Sequence, residues 1–303
     1  MNKRNLTRVT EIHLLGFQTS RSIKVGLFVL VFTMFCVTIV GNLLIIVLVS
    51  RSRNLHSPMY FFLTQLSISD ILLTTDIVPN MLRGMMPLVG CLAQLYFFGV
   101  SECFECLILA VMSYDRYLAI CHPLHYISLM SHLLSLRVII VTWIVSFSVP
   151  LIETVTTSKL VFCGPNVIDH FFCDLFPLWE LSCSDILIGQ IEVTILGIPI
   201  IISPFILIAI SYTYIFFTIL KIQSITGRQK AFSTCSSHLT VVFIYYGTLI
   251  SIYVLPTRGQ SLIVSKVLSL LYTVVTPMLN PIIYSLRNKD IKEALRKYVK
   301  NTR

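Results

Sequence analysis

The sequence predicts an all-α membrane protein, a seven-transmembrane helix bundle followed by a short amphipathic eighth helix. Three observations carry that prediction. Charged residues make up 12% of the 303-residue chain, about half of the roughly 25% usual in soluble domains. The chain is 55% hydrophobic with a mean hydropathy of +0.84, more apolar matter than one soluble core of this size needs. The apolar residues also fall in continuous blocks near the roughly 20 residues a helix needs to cross a bilayer, not in the alternation of a β-barrel. A disordered chain is excluded by the same composition. The formal net charge of +9 is read by its placement along the membrane, so no nucleic-acid partner is expected.

The spans follow in order. The first covers 25–49 and has no charge; the second, 58–82, contains Asp70 and Asp76. The third, 92–121, carries Glu102 and Glu105, and the fourth, 138–155, is the shortest. The fifth covers 191–220, the sixth 231–256 and the seventh 262–286, where Lys266 lies close enough to the end to snorkel to the interface. One domain over 1–303 is expected: an amino-terminal segment 1–24, the bundle 25–286 and a tail 287–303. The residues before Val25 lack an apolar block beside a small-residue cleavage site, so the first span itself is expected to direct insertion.

Of the 23 Lys and Arg, 14 fall in the 51–57, 114–137 and 221–230 segments and the tail, against nine on the other side. The positive-inside bias therefore places the amino terminus outside, although the flanks of the first span, five before and two after, oppose it. Asn5-Leu6-Thr7 is a glycosylation sequon, and the 156–190 loop has four acids against Lys159 alone. In the tail, Ile291, Leu295 and Val299 recur every four residues among basic side chains, the pattern of a helix lying on the inner membrane surface.

Five of the nine cysteines, Cys36, Cys103, Cys106, Cys121 and Cys235, lie within or at the ends of spans, where packing accounts for them. Cys91, Cys163, Cys173 and Cys183 share one face of the membrane and can form two bridges in any of three connectivities. None has the close Cys-x-x-Cys spacing of a zinc site.

Six strings narrow the reading: Gly41-Asn42, LHSPMY at 55–60, LSISD ending at Asp70, MSYDRYLAICHPLHY at 112–126, KAFSTCSSH at 230–238 and PMLNPIIYSLRN at 277–288. In this order, over nearly the whole chain, they resemble the rhodopsin-like G-protein-coupled receptors. Within those they resemble the olfactory receptors, because the sixth span carries Tyr245-Tyr246-Gly247 where most of the class has Cys-Trp-x-Pro. Departures are slight: Ser113 and Leu118 for Ala and Val, Ser57 for Thr.

The resemblance implies a plasma-membrane receptor that takes a small volatile odorant and activates a stimulatory G protein of olfactory type, raising cyclic AMP. It implies disulfides Cys91–Cys173 and Cys163–Cys183 and glycosylation at Asn5. Asp115, Arg116 and Tyr117 would form the switch, Arg116 being a permanent cation at the membrane boundary. Tyr212, Tyr284, Lys221, Arg228 and Lys230 would border the G-protein crevice. Asn280 stands beside Pro281, whose missing N–H breaks the seventh helix's ladder and permits a hinge. Asp70 and Glu105 would meet near Asn280, where related receptors hold sodium; a protonated, hydrogen-bonded pair is the alternative.

For the ligand cavity the resemblance implies Phe98, Gly99, Glu102, Cys103 and Cys106 from the third span, and Leu196, Ile200 and Ile201 from the fifth. Tyr246, Leu249, Ile250 and Tyr253 follow from the sixth and Thr273 from the seventh. This lining, lidded by the long loop, is mainly apolar and suits a small hydrophobic ligand held by shape. Glu102, one turn above Glu105, departs from the family pattern. It would accept a hydrogen bond from an alcohol or pair with an amine, or else stay neutral and bonded inside the bundle.

Two other classes are weighed. A transporter relay through Asp70, Asp76, Glu102 and Glu105 lacks the internal repeat such proteins show. An intramembrane hydrolase would need His122, His125, His132 or His238 on facing mid-membrane helices, and they read as inner loop ends. No nucleotide loop, nucleophile elbow or metal motif is present, so a non-enzymatic protein is expected.

Overall fold

The computed structural model describes residues 9–52, 55–163, 165–254, 261–287 and 289–301; Asn5 lies outside them. Seven spans form the bundle. The first three are α1 (Arg21–Arg51), α2 (Pro58–Arg83) and α3 (Leu88–Cys121). After the short α4 (Tyr126–Leu129), the fourth span is α5 (His132–Ser158). A turn of helix in the long loop, α6 (Leu175–Trp179), precedes the fifth span, which comprises α7 (Leu187–Glu192), a π turn (Val193–Gly197) and α8 (Ile198–Lys221). The sixth is α9 (Ile225–Leu249) with a π turn at Ile250–Val254, and the seventh is α10 (Leu262–Leu270), a π turn (Leu271–Val275) and α11 (Thr276–Arg287). The tail helix is α12 (Lys289–Asn301).

Local chemistry sets several of these ends. Pro58 occupies the first turn of α2, where its missing N–H is no loss. The Ser131 hydroxyl accepts the Leu134 N–H at 3.2 Å, a cap that starts the fourth span six residues before the expected 138–155 and makes it 27 residues long. Ser224 caps α9 the same way through the Gly227 N–H, 3.3 Å.

The third span is the axis of the bundle: Phe104, Cys106, Ile108, Leu109 and Met112 are all fully buried. α1 instead presents Phe28, Val29, Phe32 and Val40 outward, a face suited to acyl chains. Gly41 lets α1 approach the seventh span, since a Cβ there would stand 3.0 Å from the Pro281 ring. The tail helix docks on the bundle, with Ile291 and Ala294 buried and the Tyr60 hydroxyl donating to Asp290 at 2.9 Å.

At one end the long loop caps the bundle, as the family resemblance implies, joined there by a three-stranded sheet absent from the sequence reading. β1 (Glu11–Leu14), within the amino-terminal segment 1–24, pairs antiparallel with β2 (Met85–Pro87) and parallel with β3 (Val167–Ile168). Cys91–Cys173 and Cys163–Cys183 are both bridged, with Cα separations of 5.5 and 5.9 Å, tying the long loop to the head of α3 and to itself. Lys266 does not snorkel. Its side chain is 5% exposed, and its ammonium donates to the Gly16 carbonyl at 2.7 Å and to Asp169 at 2.6 Å, so the seventh span holds the amino-terminal segment and the long loop together.

Candidate functional site

Beneath this cap lies a cavity of about 90 Å³, small against the roughly 300–1,000 Å³ of drug-sized sites. The third span contributes Leu95, Phe98, Gly99, Glu102, Cys103 and Cys106, and the fifth Val193, Gly197, Ile198, Ile200 and Ile201. The fourth adds Val149, Pro150, Glu153 and Thr154; the long loop adds Asp174, Leu175 and Phe176; the sixth adds Tyr253. The wall is mostly apolar, with three carboxyl side chains set into it.

Eight of the thirteen residues expected at a ligand cavity line this one: Phe98, Gly99, Glu102, Cys103, Cys106, Ile200, Ile201 and Tyr253. Leu196, Tyr246, Leu249, Ile250 and Thr273 do not. For two of them the reason is a hydrogen bond made elsewhere. The Tyr246 hydroxyl donates to the Cys106 carbonyl at 2.7 Å, and the Thr273 hydroxyl to Ser269 at 2.7 Å. Leu249 is fully buried in the core between the spans. Tyr245 likewise donates to the Glu102 carbonyl at 2.8 Å, so both tyrosines of the sixth span grip the backbone of the third.

The sequence reading missed the fourth-span wall and the loop residues. Gly99 explains how the fourth span reaches the cavity, since a Cβ there would lie 2.9 Å from Pro150. One signal was available: Glu153 is a carboxyl inside a span, which in a bilayer marks a functional position by default. Asp174 gave no such signal, because its place under the cap depends on the Cys91–Cys173 bridge beside it.

Three π turns converge at this level, as such turns often do at functional sites. The first supplies Val193 and Gly197 to the wall; the second carries Tyr253 and the third Tyr272. Tyr253 donates to Asp174 at 2.9 Å and shares a 3.0 Å bond with Tyr272. The other Asp174 oxygen accepts the Leu175 N–H at 2.7 Å. Burial pushes the Asp174 carboxyl up to about 6, against the pull of these two donors. Above it, His170 packs against Phe171 and Phe172 at 4.7 and 4.8 Å. Burial, reinforced by the Lys266 ammonium, lowers its imidazole to about 4.

At the opposite end the Asp-Arg-Tyr string is tied up in ion-pair and hydrogen-bond contacts. Arg116 pairs with Asp115 at 3.1 Å, and Tyr126 donates to the other Asp115 oxygen at 2.7 Å. Tyr117 contacts His122 at 3.1 Å. Tyr212 meets His238 at 2.8 Å, which corrects the placement of His238 at a loop end: it is 1% exposed, between the fifth and sixth spans. Tyr284 is buried, its hydroxyl without a hydrogen-bond partner among the described residues. Lys221 is exposed, and Arg228 donates back to the Ile222 carbonyl at 3.0 Å, closing the end of the fifth span. The Lys230 side chain lies outside the described residues.

Midway between the two ends, Asp70, Glu105 and Asn280 come together. The Asn280 amide donates to both Asp70 oxygens at 3.0 and 3.1 Å and reaches Glu105 at 3.5 Å. Its carbonyl oxygen is buried without a partner among the described residues.

Comparison with known proteins agrees with this geometry. Residues 31–302 match a family model described as olfactory receptor. The chain is 46% identical to human Olfactory receptor 11L1, over 99% of this chain and 95% of that receptor. Rat Olfactory receptor 1468 is 42% identical over 97% and 96%, and mouse Olfactory receptor 1M1 44% over 99% and 97%.

Proposed function

The chain belongs to the olfactory receptor family, odorant-sensing G-protein-coupled receptors rather than enzymes, and on that premise we propose that it binds a small, mainly hydrophobic volatile in the capped cavity and signals through a stimulatory G protein. The observation that carries this is the pairing of a small, largely apolar cavity under the cap with a closed Arg116–Asp115–Tyr126 cluster at the other end. Ligand in the cavity presses on Phe98, Tyr253 and the π turns of the fifth and sixth spans. A shift there separates the opposite helix ends, frees Arg116 from Asp115 and opens the crevice beside Tyr212 and Tyr284 to the G protein. A ligand drives this change only through its differential affinity for the open arrangement.

The capped end faces outward at the plasma membrane in this reading, because its disulfides require an oxidising compartment and the Lys and Arg excess lies at the other end. Asp70 and Glu105 hold a sodium ion in the same reading. Two carboxyls and the free Asn280 oxygen form the all-oxygen donor set that suits a hard cation. Bound there, the ion would supply charge neutralisation between the two acids. Sodium should raise the thermal midpoint of purified receptor, and Asp70→Asn should abolish that rise; a midpoint indifferent to sodium in the unmodified receptor leaves the protonated pair instead.

The deciding experiment measures cyclic AMP in cells expressing the receptor with an olfactory-type stimulatory G protein, challenged with a broad panel of volatiles. A dose-dependent rise that Arg116→Ala abolishes supports the proposal. Silence from a receptor shown at the cell surface counts against either the ligand class or the coupling, and direct binding of the panel separates the two.

A further inference from the structure

We infer that the cavity selects a small protonated amine over the neutral alcohol of the same shape, an inference that rests on the ligand reading above and narrows it. Glu102 enters from the third span, Glu153 from the fourth and Asp174 from the loop, while no Lys, Arg or His belongs to the lining among the described residues. Asp174 is spoken for, with one oxygen on the Leu175 amide and the other on Tyr253. Glu102 and Glu153 line the cavity with no side-chain hydrogen bond or ion pair among the described residues. One Glu153 oxygen lies against the fifth-span backbone, 3.1 Å from where Gly197 would carry a Cβ.

Two half-buried carboxyls without partners among the described residues, set into a largely apolar wall, are costly. An ammonium group answers that cost best. It brings a positive charge and, for a primary amine, three N–H donors, enough to reach more than one carboxyl. A hydroxyl brings one donor and no charge, leaving the second acid unanswered. Phe98, Phe176 and Tyr253 add ring surfaces of the kind that attract a cation. Ile200, Ile201 and Val149 leave room for a short hydrocarbon body, which a cavity of about 90 Å³ keeps to a few carbons.

The test uses full-length receptor at the cell surface, with propyl to hexyl primary amines each paired with the alcohol of the same chain. Amines are expected to activate at concentrations at least about tenfold below their alcohols, since a site built for polar contacts rejects analogues that leave its groups unpaired. Glu102→Gln and Glu153→Gln should each raise the amine concentration needed at least about tenfold and so narrow the preference of amine over alcohol. Glu102→Asp, which keeps the charge, should retain the preference and guards against a variant that merely misfolds. Equal potency of amines and alcohols, or Gln variants that respond to amines unchanged, overturns the inference. Responses to other neutral volatiles with none to amines overturn it while sparing the ligand cavity. Silence to every volatile class takes the ligand reading down with it.

Discussion

The Asn42 side-chain amide donates to the Pro277 carbonyl at 3.2 Å, across the contact between the first and seventh spans. Pro277 is four residues before Pro281, which has no N–H, so this carbonyl is the one the helix itself leaves unpaired. Gly41 is what permits the approach, with the Pro281 ring 3.0 Å from where its Cβ would be. The Gly-Asn pair of the first span and the Pro of the seventh are thus parts of one joint, 235 residues apart in sequence.

That joint predicts a coupling. Asn42→Ala should destabilise purified receptor by about 1–3 kcal/mol, the cost of a buried carbonyl left bare. In a Pro281→Ala background, where residue 281 regains an N–H for Pro277, the same change should cost clearly less. Thermal unfolding of the four variants gives the interaction energy directly; simple additivity would disprove the joint.

The Lys266–Asp169 pair predicts an asymmetry. Lys266 is 5% exposed and Asp169 39%, so removing the acid strands a buried ammonium, whereas removing the lysine leaves a carboxylate that water can reach. Asp169→Ala should therefore lower the thermal midpoint more than Lys266→Met, with losses up to about 3–5 kcal/mol for the stranded charge. In both variants amide exchange should quicken at Gly16, whose N–H donates to the His170 carbonyl at 3.0 Å.

His170 should make the cap sensitive to acid. Its imidazole titrates near 4 when folded, against an ordinary value of 6.5, so between these pH values the unfolded chain binds more protons and stability falls as pH falls. The loss is absent above pH 6.5 and grows to about 3 kcal/mol below pH 4, at about 1.4 kcal/mol per unit. Asp174, raised from 3.8 to about 6, acts oppositely: its burial penalty is full above pH 6 and fades as pH falls toward 3.8. Against unmodified receptor, His170→Gln should therefore keep more stability between pH 6.5 and 4, and Asp174→Asn should gain stability at neutral pH if its hydrogen bonds are retained. Thermal melts across pH 4–8 check both signs.

Tyr126 should restrain basal signalling. Its hydroxyl holds Asp115 at 2.7 Å while Asp115 holds Arg116 at 3.1 Å. A hydrogen bond to a charged group contributes about 1.5–3 kcal/mol, so Tyr126→Phe should raise ligand-free cyclic AMP several-fold, and adding Arg116→Ala should remove the rise. An unchanged basal level would show that the tyrosine only packs.

Much of this molecule was legible in the residue string, because a bilayer imposes a length and an apolar composition on every helix that crosses it. The seven spans and the tail helix follow from hydropathy and spacing, whereas the pairing of the four cysteines and the meeting of Asp70, Glu105 and Asn280 were implied only by the resemblance to the olfactory receptors. Tertiary structure alone decided which face of each span looks into the cavity. Tyr246 turned to the backbone of the third span, Glu153 turned inward from the fourth, and His238 became core, because π turns and helix rotation leave no local mark in composition. The sheet of the cap was equally hidden. β1 exists only where β2 and β3 flank it, and Lys266 is buried only because Gly16 and Asp169 arrive from distant parts of the chain to satisfy its charge.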